Sequence, residues 1–223
     1  MGTEADRRRM VQEQLRARGI RDERVLAAMG AVERDRFIDG PERRRAYADE
    51  ALPIDAGQTI SQPWIVARMT ELLAPQPGER ILELGTGSGY QAAILAALGA
   101  TVTSIERHPT LAAQAQERIA SLDLPGSVSI RTADGSLGHP DGAPYDGIIV
   151  TAAAPSIASE LREQLADGGR LVIPVGPRDR QVLTLVVRHG SEWRDQPEGA
   201  VIFVPLVGEG GFPDDGSSGE ASS

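Results

Sequence analysis

Between Arg80 and Tyr90 the chain reads Arg-Ile-Leu-Glu-Leu-Gly-Thr-Gly-Ser-Gly-Tyr, a short apolar run that breaks into three alternate glycines, Gly85, Gly87 and Gly89. This pattern predicts a strand, a tight loop and a helix. Glycine lets the backbone turn sharply and lets a ligand approach without meeting a Cβ, and the helix start offers unpaired N–H groups. Such a place suits a nucleotide-like ligand, and spacing separates the candidates. A dinucleotide fingerprint needs G-x-G-x-x-G, and Tyr90 stands where its last glycine would be. A phosphate-binding P-loop needs G-x-x-x-x-G-K-[ST], and no lysine or arginine occupies the turn after Gly89.

What remains is E-x-G-x-G-x-G, running from Glu83 through Gly85, Thr86 and Gly87 to Gly89. It resembles the loop of S-adenosylmethionine-dependent methyltransferases, which wraps an amino acid and a ribose and so needs no basic residue. The second half of such a site is a carboxylate about 20 residues after the glycines, at the end of the next strand. Thr101–Glu106 is a β-prone run ending in an acid, with Pro109 opening the following helix. Glu106 then either accepts hydrogen bonds from ribose hydroxyls or caps that helix. A third run, Val128–Arg131, leads into Asp134 and Gly135. Asp134 either meets the adenine amino group or makes an ordinary Asp-Gly turn.

Other chemistries find little support. The nucleophile elbow G-x-S-x-G would need glycine where Thr86 stands, so Ser88 is a loop residue. His108, His139 and His189 lack ligand spacing and read as exposed polar residues, so no metal site is expected. Cysteine is absent, which removes thiolate chemistry and disulfides. A net charge of −9 argues against nucleic acid as a partner. The early arginines, from Arg7-Arg8-Arg9 to Arg43-Arg44-Arg45, are interleaved with acids and read as solvated helix faces. The longest nearly apolar run, Ala92–Ala100, is too short to span a bilayer, and no apolar stretch follows the first arginines. A cytoplasmic, monomeric protein with no membrane contact is expected.

The elements that must position the loop follow from hydrophobic periodicity. Residues 5–75 predict an N-terminal helical lobe, with Met10, Leu15, Val25, Leu26, Met29, Val32 and Phe37 at helical spacing and a last helix from Pro63 to about Leu73. Over residues 76–212 strands and helices alternate: strand 80–84, helix 88–98, strand 101–106, helix 109–121, strand 127–131, strand 145–151, helix 156–166 and strand 169–174. This is the rhythm of an α/β, doubly wound, Rossmann-like sheet. Two further runs, 182–187 and 200–204, would complete one edge with an antiparallel strand. Residues 213–223 are serine, glycine and acid apart from Pro213 and Ala221 and are expected to be disordered.

One segment carries a more specific resemblance. Gly57, Thr59, Ile60, Ser61 and Pro63 form a G-x-T-I-S-x-P stretch ahead of the glycine loop. With Glu83–Gln91, Asp134-Gly135, Tyr145–Pro155, Gly168–Gly176 and Phe203–Gly208 in order, the chain resembles the protein-L-isoaspartate O-methyltransferases over about residues 8 to 212. The resemblance implies a Rossmann-like methyltransferase fold with S-adenosyl-L-methionine as cofactor. The substrate it implies is a peptide or protein containing L-isoaspartate, methylated on its free α-carboxylate to begin repair. Glu83, Gly85, Thr86, Gly87, Gly89, Glu106, Asp134 and Gly135 would serve the cofactor. Thr59, Ile60, Ser61, Leu206 and Val207 would wall an extended peptide, with Ser61 orienting the carboxylate; Ser61 could equally cap the helix at Pro63. Gln62 and Trp64 fill variable positions, and Trp64 either lines the peptide cleft or packs. The alternatives are a methyltransferase dedicated to one aspartate of a partner peptide and a non-catalytic cofactor-binding protein on the same fold.

Overall fold

The structure, a computed structural model, describes residues 3–214. A sheet of seven strands forms its centre, in the order β5-β4-β3-β6-β7-β8-β9. These are β3 (Arg80–Leu84), β4 (Thr101–Glu106), β5 (Ser127–Thr132), β6 (Tyr145–Val150), β7 (Leu165–Val175), β8 (Gln181–His189) and β9 (Glu192–Val201). The first five positions are parallel, while β8 and β9 run antiparallel. Strand order reverses between β3 and β6, so the crevice outside their carboxyl ends is where an open α/β sheet binds ligand.

Helix α4 (Tyr90–Ala97) links β3 to β4, and α5 (Pro109–Ala120) links β4 to β5. Seven of the eight residues of α4, Tyr90 to Ala96, are buried. A helix apolar all round must be covered all round, and the N-terminal helices supply that cover. Helices α1 (Glu4–Arg9) and α2 (Glu23–Ala31), with shorter turns between and after them, precede a two-stranded ribbon of β1 (Leu52–Pro53) and β2 (Thr59–Ile60), then α3 (Pro63–Leu73). Met10, Leu15, Val25, Leu26, Met29, Val32 and Phe37 join Tyr90, Ala93 and Ile94 in one apolar cluster.

Two sequence expectations shift. The helix expected over 156–166 is only α6 (Ser159–Glu163), because the chain rejoins the sheet at once: Tyr145 N–H donates to Gln164 O at 2.8 Å. The final strand lies not at 200–204 but at Glu192–Val201, paired with β8 from His189–Glu192 onward. Its residues are mostly polar and exposed, and an edge strand held by a hairpin needs no apolar signature. Of the expected tail, Pro213 and Asp214 are described, and Asp214 pairs with Arg107 at 2.7 Å; residues 215–223 lie outside the described residues. No helix among the described residues is long and apolar enough to cross a membrane.

Candidate active site

The glycine loop leaves β3 with Gly85, Gly87 and Gly89 all at positive φ. At two of them a side chain would also collide. A Cβ on Gly85 would lie 2.6 Å from Thr151 Oγ1, and one on Gly89 would lie 3.0 Å from Ala115 Cβ on α5. The first glycine therefore admits the end of β6, and the last admits α5.

Beyond the loop lies a cleft bordered by Gly85, Gly87, Glu106, Gly135, Thr59, Leu206 and Val207. Glu106, 4% exposed at the end of β4, accepts from Gly87 N–H at 2.8 Å and from His108 N–H at 3.0 Å. It thus ties the loop to the start of α5, and its remaining lone pairs can accept ligand hydroxyls. Arg107 at the cleft wall is paired with Asp214. The cleft thus offers glycine backbone and a carboxylate, a donor set that fits ribose hydroxyls better than a pyrophosphate.

A smaller chamber adjoins this cleft, and Thr59, Gly85, Gly87 and Thr151 border both. Ser61, Thr86, Ser88, Tyr90 and Gln91 complete its polar lining, and Ile60 also borders it. The Ser61 hydroxyl has no hydrogen-bond partner among the described residues, and α3 is capped at Gln62 without a side-chain bond. The capping role open to Ser61 is not the one it takes. Trp64 packs against the N-terminal cluster and also lines a groove beside Ser61.

Glu83, Gly89 and Asp134 border neither cleft nor chamber. Glu83 is fully buried beneath the loop, where burial, with a smaller effect of the nearby Glu106, pushes its carboxyl up to about 8. Thr86 shares a hydrogen bond with Ser104, whose hydroxyl donates to Glu83. The other Glu83 oxygen has no hydrogen-bond partner among the described residues. Asp134 makes the turn open to it from sequence: it accepts from Ser136 N–H at 2.8 Å and from Glu209 N–H at 2.9 Å. Burial would raise its pKa, but those bonds prevail and hold it below the usual carboxylate range. Its second bond fastens the 206–212 loop over the cleft, while Gly135 faces the ligand space.

A family model described as protein-L-isoaspartate(D-aspartate) O-methyltransferase matches residues 6–211. The chain belongs to the protein-L-isoaspartate O-methyltransferase family. It is 55% identical over 207 residues to a protein-L-isoaspartate O-methyltransferase of Methanoregula boonei, covering 93% of this chain and 95% of the relative. It is 52% identical to that of Methylorubrum populi, covering 92% and 96%. Among solved structures, a protein-L-isoaspartate O-methyltransferase from Plasmodium falciparum in complex with S-adenosyl-L-homocysteine superposes with a TM-score of 0.76 at 25% identity, covering 90% of this chain and 98% of that one.

Within this member of the isoaspartate methyltransferase family, several site residues carry no clear mark in the sequence. Thr151 donates to Leu84 O at 3.1 Å and to Gly85 O at 2.5 Å, bracing the loop from β6. Ser104 is fully buried on β4, between Val102 and Glu106 on one strand face, and nothing in its sequence neighbourhood marks it. His108 and His139 are half-buried, correcting the expectation that all three histidines are exposed; only His189 is. His108 supplies part of the cleft wall, and His139 N–H donates to Gln164 Oε1 at 2.7 Å. The arginines are mostly paired at the surface, but Arg34 is fully buried, its Nε donating to Ala46 O at 2.7 Å and its guanidinium 5.1 Å from the Tyr90 ring centroid. Burial lowers its pKa to about 10.

Proposed function

We propose that the protein transfers a methyl group from S-adenosyl-L-methionine to the free α-carboxylate of L-isoaspartyl residues in peptides and proteins, initiating repair of damaged aspartyl and asparaginyl sites. The observation that carries this reading is the chemistry of the chamber between the glycine loop and Thr59–Ser61. It offers the hydroxyls of Thr59 and Ser61, and none of its lining side chains is an acid, a histidine or a lysine. Such a chamber suits a nucleophile that needs no deprotonation, which a carboxylate already is. When bound, S-adenosylmethionine supplies an electrophilic methyl on a sulfonium that departs as a neutral thioether.

The chain's own residues then have separable tasks. Glu106 holds ribose hydroxyls at the cleft edge, and Gly135 lets the adenine approach its backbone. Asp134, the residue open to an adenine contact, keeps lone pairs for one while it anchors the 206–212 loop. Glu83, through Ser104 and Thr86, supports the loop from below. Ser61 donates to one oxygen of the substrate carboxylate and aims the other at the methyl. Leu206 and Val207 wall the cleft and exclude water, so that alignment does most of the catalytic work. A cytoplasmic monomer built from a helical lobe over 5–75 and a methyltransferase domain over 76–212 is the setting we favour. Incubation with an isoaspartyl peptide and S-adenosylmethionine tests the function. Methyl incorporated as an ester that mild base removes is the expected product, and base-stable methylation of a nitrogen would contradict it.

A further inference from the structure

On the other side of Thr59 and Ser61 from the cofactor cleft lies an open groove with an apolar floor formed by Trp64, Ile65, Ile202 and Phe203. Thr59 borders cleft, chamber and groove, and Ser61 borders chamber and groove. The groove therefore runs into the place where methyl and carboxylate would meet. Its walls are braced from behind. Trp64 Nε1 donates to Arg18 O at 3.4 Å, with the Arg18 guanidinium 4.8 Å from the ring centroid. Phe203 N–H donates to Oε1 of fully buried Gln181 at 2.9 Å, fixing the backbone next to Ile202. Ile202 is 81% exposed, against 41% for Val182 and 37% for Trp193, the other exposed large hydrophobic residues among those described. A lone exposed isoleucine is ordinary, but this one stands in a groove with Trp64, Ile65, Val201 and Phe203.

The rim charges largely cancel. Arg18 pairs with Asp49, Glu50 pairs with Arg45, and Asp179 adjoins Arg180. The groove offers no dominant sign to select a charged ligand.

We infer that this groove is the subsite for the substrate residues flanking the isoaspartate, and that it favours an apolar side chain, aromatic or branched, within two positions of the methylated residue. The inference rests on the isoaspartyl methyl transfer proposed above. An extended peptide advances about 3.3 Å per residue and alternates its side chains, so a neighbour of a residue held at Ser61 falls into the groove. There it removes its own apolar surface and that of Ile202 and Trp64 from water.

Steady-state constants on isoaspartyl peptides that differ only in one neighbour, phenylalanine, leucine, serine, aspartate or lysine on either side, test it. The apolar neighbours are expected to give about ten-fold higher kcat/KM, carried by KM. In Ile202→Ser the preference should fall to within about two-fold, the scale of lost uniform binding rather than of lost catalysis. Ile202 is a surface position, so folding of this variant is checked by its melting temperature, and a purely structural effect would lower all peptides alike. Equal constants for every isoaspartyl peptide would overturn the subsite while leaving methyl transfer standing. A preference unchanged in Ile202→Ser would overturn it too, as would a concentration-dependent dimer that Ile202→Ser dissolves, which would assign the groove to a second copy. If no isoaspartyl peptide is methylated at all, the parent function fails and the subsite falls with it.

Discussion

Glu106 and Ser61 are both polar residues facing ligand space, but their surroundings divide the labour between them. Glu106 already accepts two backbone N–H groups, so its carboxylate is fixed before any ligand arrives. Glu106→Ala should weaken S-adenosylmethionine binding by roughly 10–100-fold, the scale of a lost hydrogen bond to a charged group, as read by calorimetry. The Ser61 hydroxyl makes no hydrogen bond among the described residues, so Ser61→Ala should lower kcat by about 10-fold or more with cofactor affinity nearly intact. Loss of cofactor affinity in Ser61→Ala but not in Glu106→Ala would reverse the assignment. Glu83 adds a pH signature. Burial holds its folded-state pKa at about 8, above the 4.5 of an exposed glutamate, so its proton stabilises the fold fully below the lower value, and that stabilisation is lost as pH rises through the higher one. Melting temperatures measured from pH 5 to pH 9 should therefore fall more steeply for the wild type than for Glu83→Gln, and parallel curves would contradict this origin. Glu106 and the glycines could be read from the chain because backbone geometry fixes their spacing. Thr151 and Ser104 could not, because each acts on a partner brought close only by folding.

At the level of elements, the loop is held by what crowds it. Gly89 has a φ of 90° and leaves room for Ala115 on α5. Gly89→Ala should cost about 2 kcal/mol or more through the left-handed backbone and the contact together. That corresponds to a melting temperature roughly 4–8 °C lower for a domain of this size, and an unchanged melting point would sink the packing argument. The alternating strands and helices from β3 to β5 were legible because each carries its own apolar period. The helix α6 was overestimated and β9 misplaced for the opposite reason: the first is cut short by pairing of the next residues with β6, and the second is an exposed edge with no period of its own. The loop carrying Leu206 and Val207 had a sequence pattern but no readable shape. Its position depends on Glu209 and Gly210 N–H groups bonding to Asp134 and Ser136, about 75 residues away in the chain.

The whole molecule brings three distant stretches to one cleft: the ribbon at 52–60 from the N-terminal part, the glycine loop from the centre of the sheet, and the 203–212 segment after the last strand. The N-terminal helices cover α4, and the ribbon beyond them carries Thr59 to the loop, so the lobe serves both core and site. A cofactor that binds only the folded state raises its melting temperature. S-adenosylmethionine should therefore stabilise the protein and NAD should not; stabilisation by NAD alone would restore the dinucleotide alternative. The central claim, that this site methylates an isoaspartyl carboxylate, is tested most directly by comparing initial rates of methyl transfer to two peptides identical except for L-isoaspartate or L-aspartate at one position. Methylation of the isoaspartyl peptide alone is the predicted result, and equal methylation of both, or methylation of the aspartyl peptide only, would contradict it.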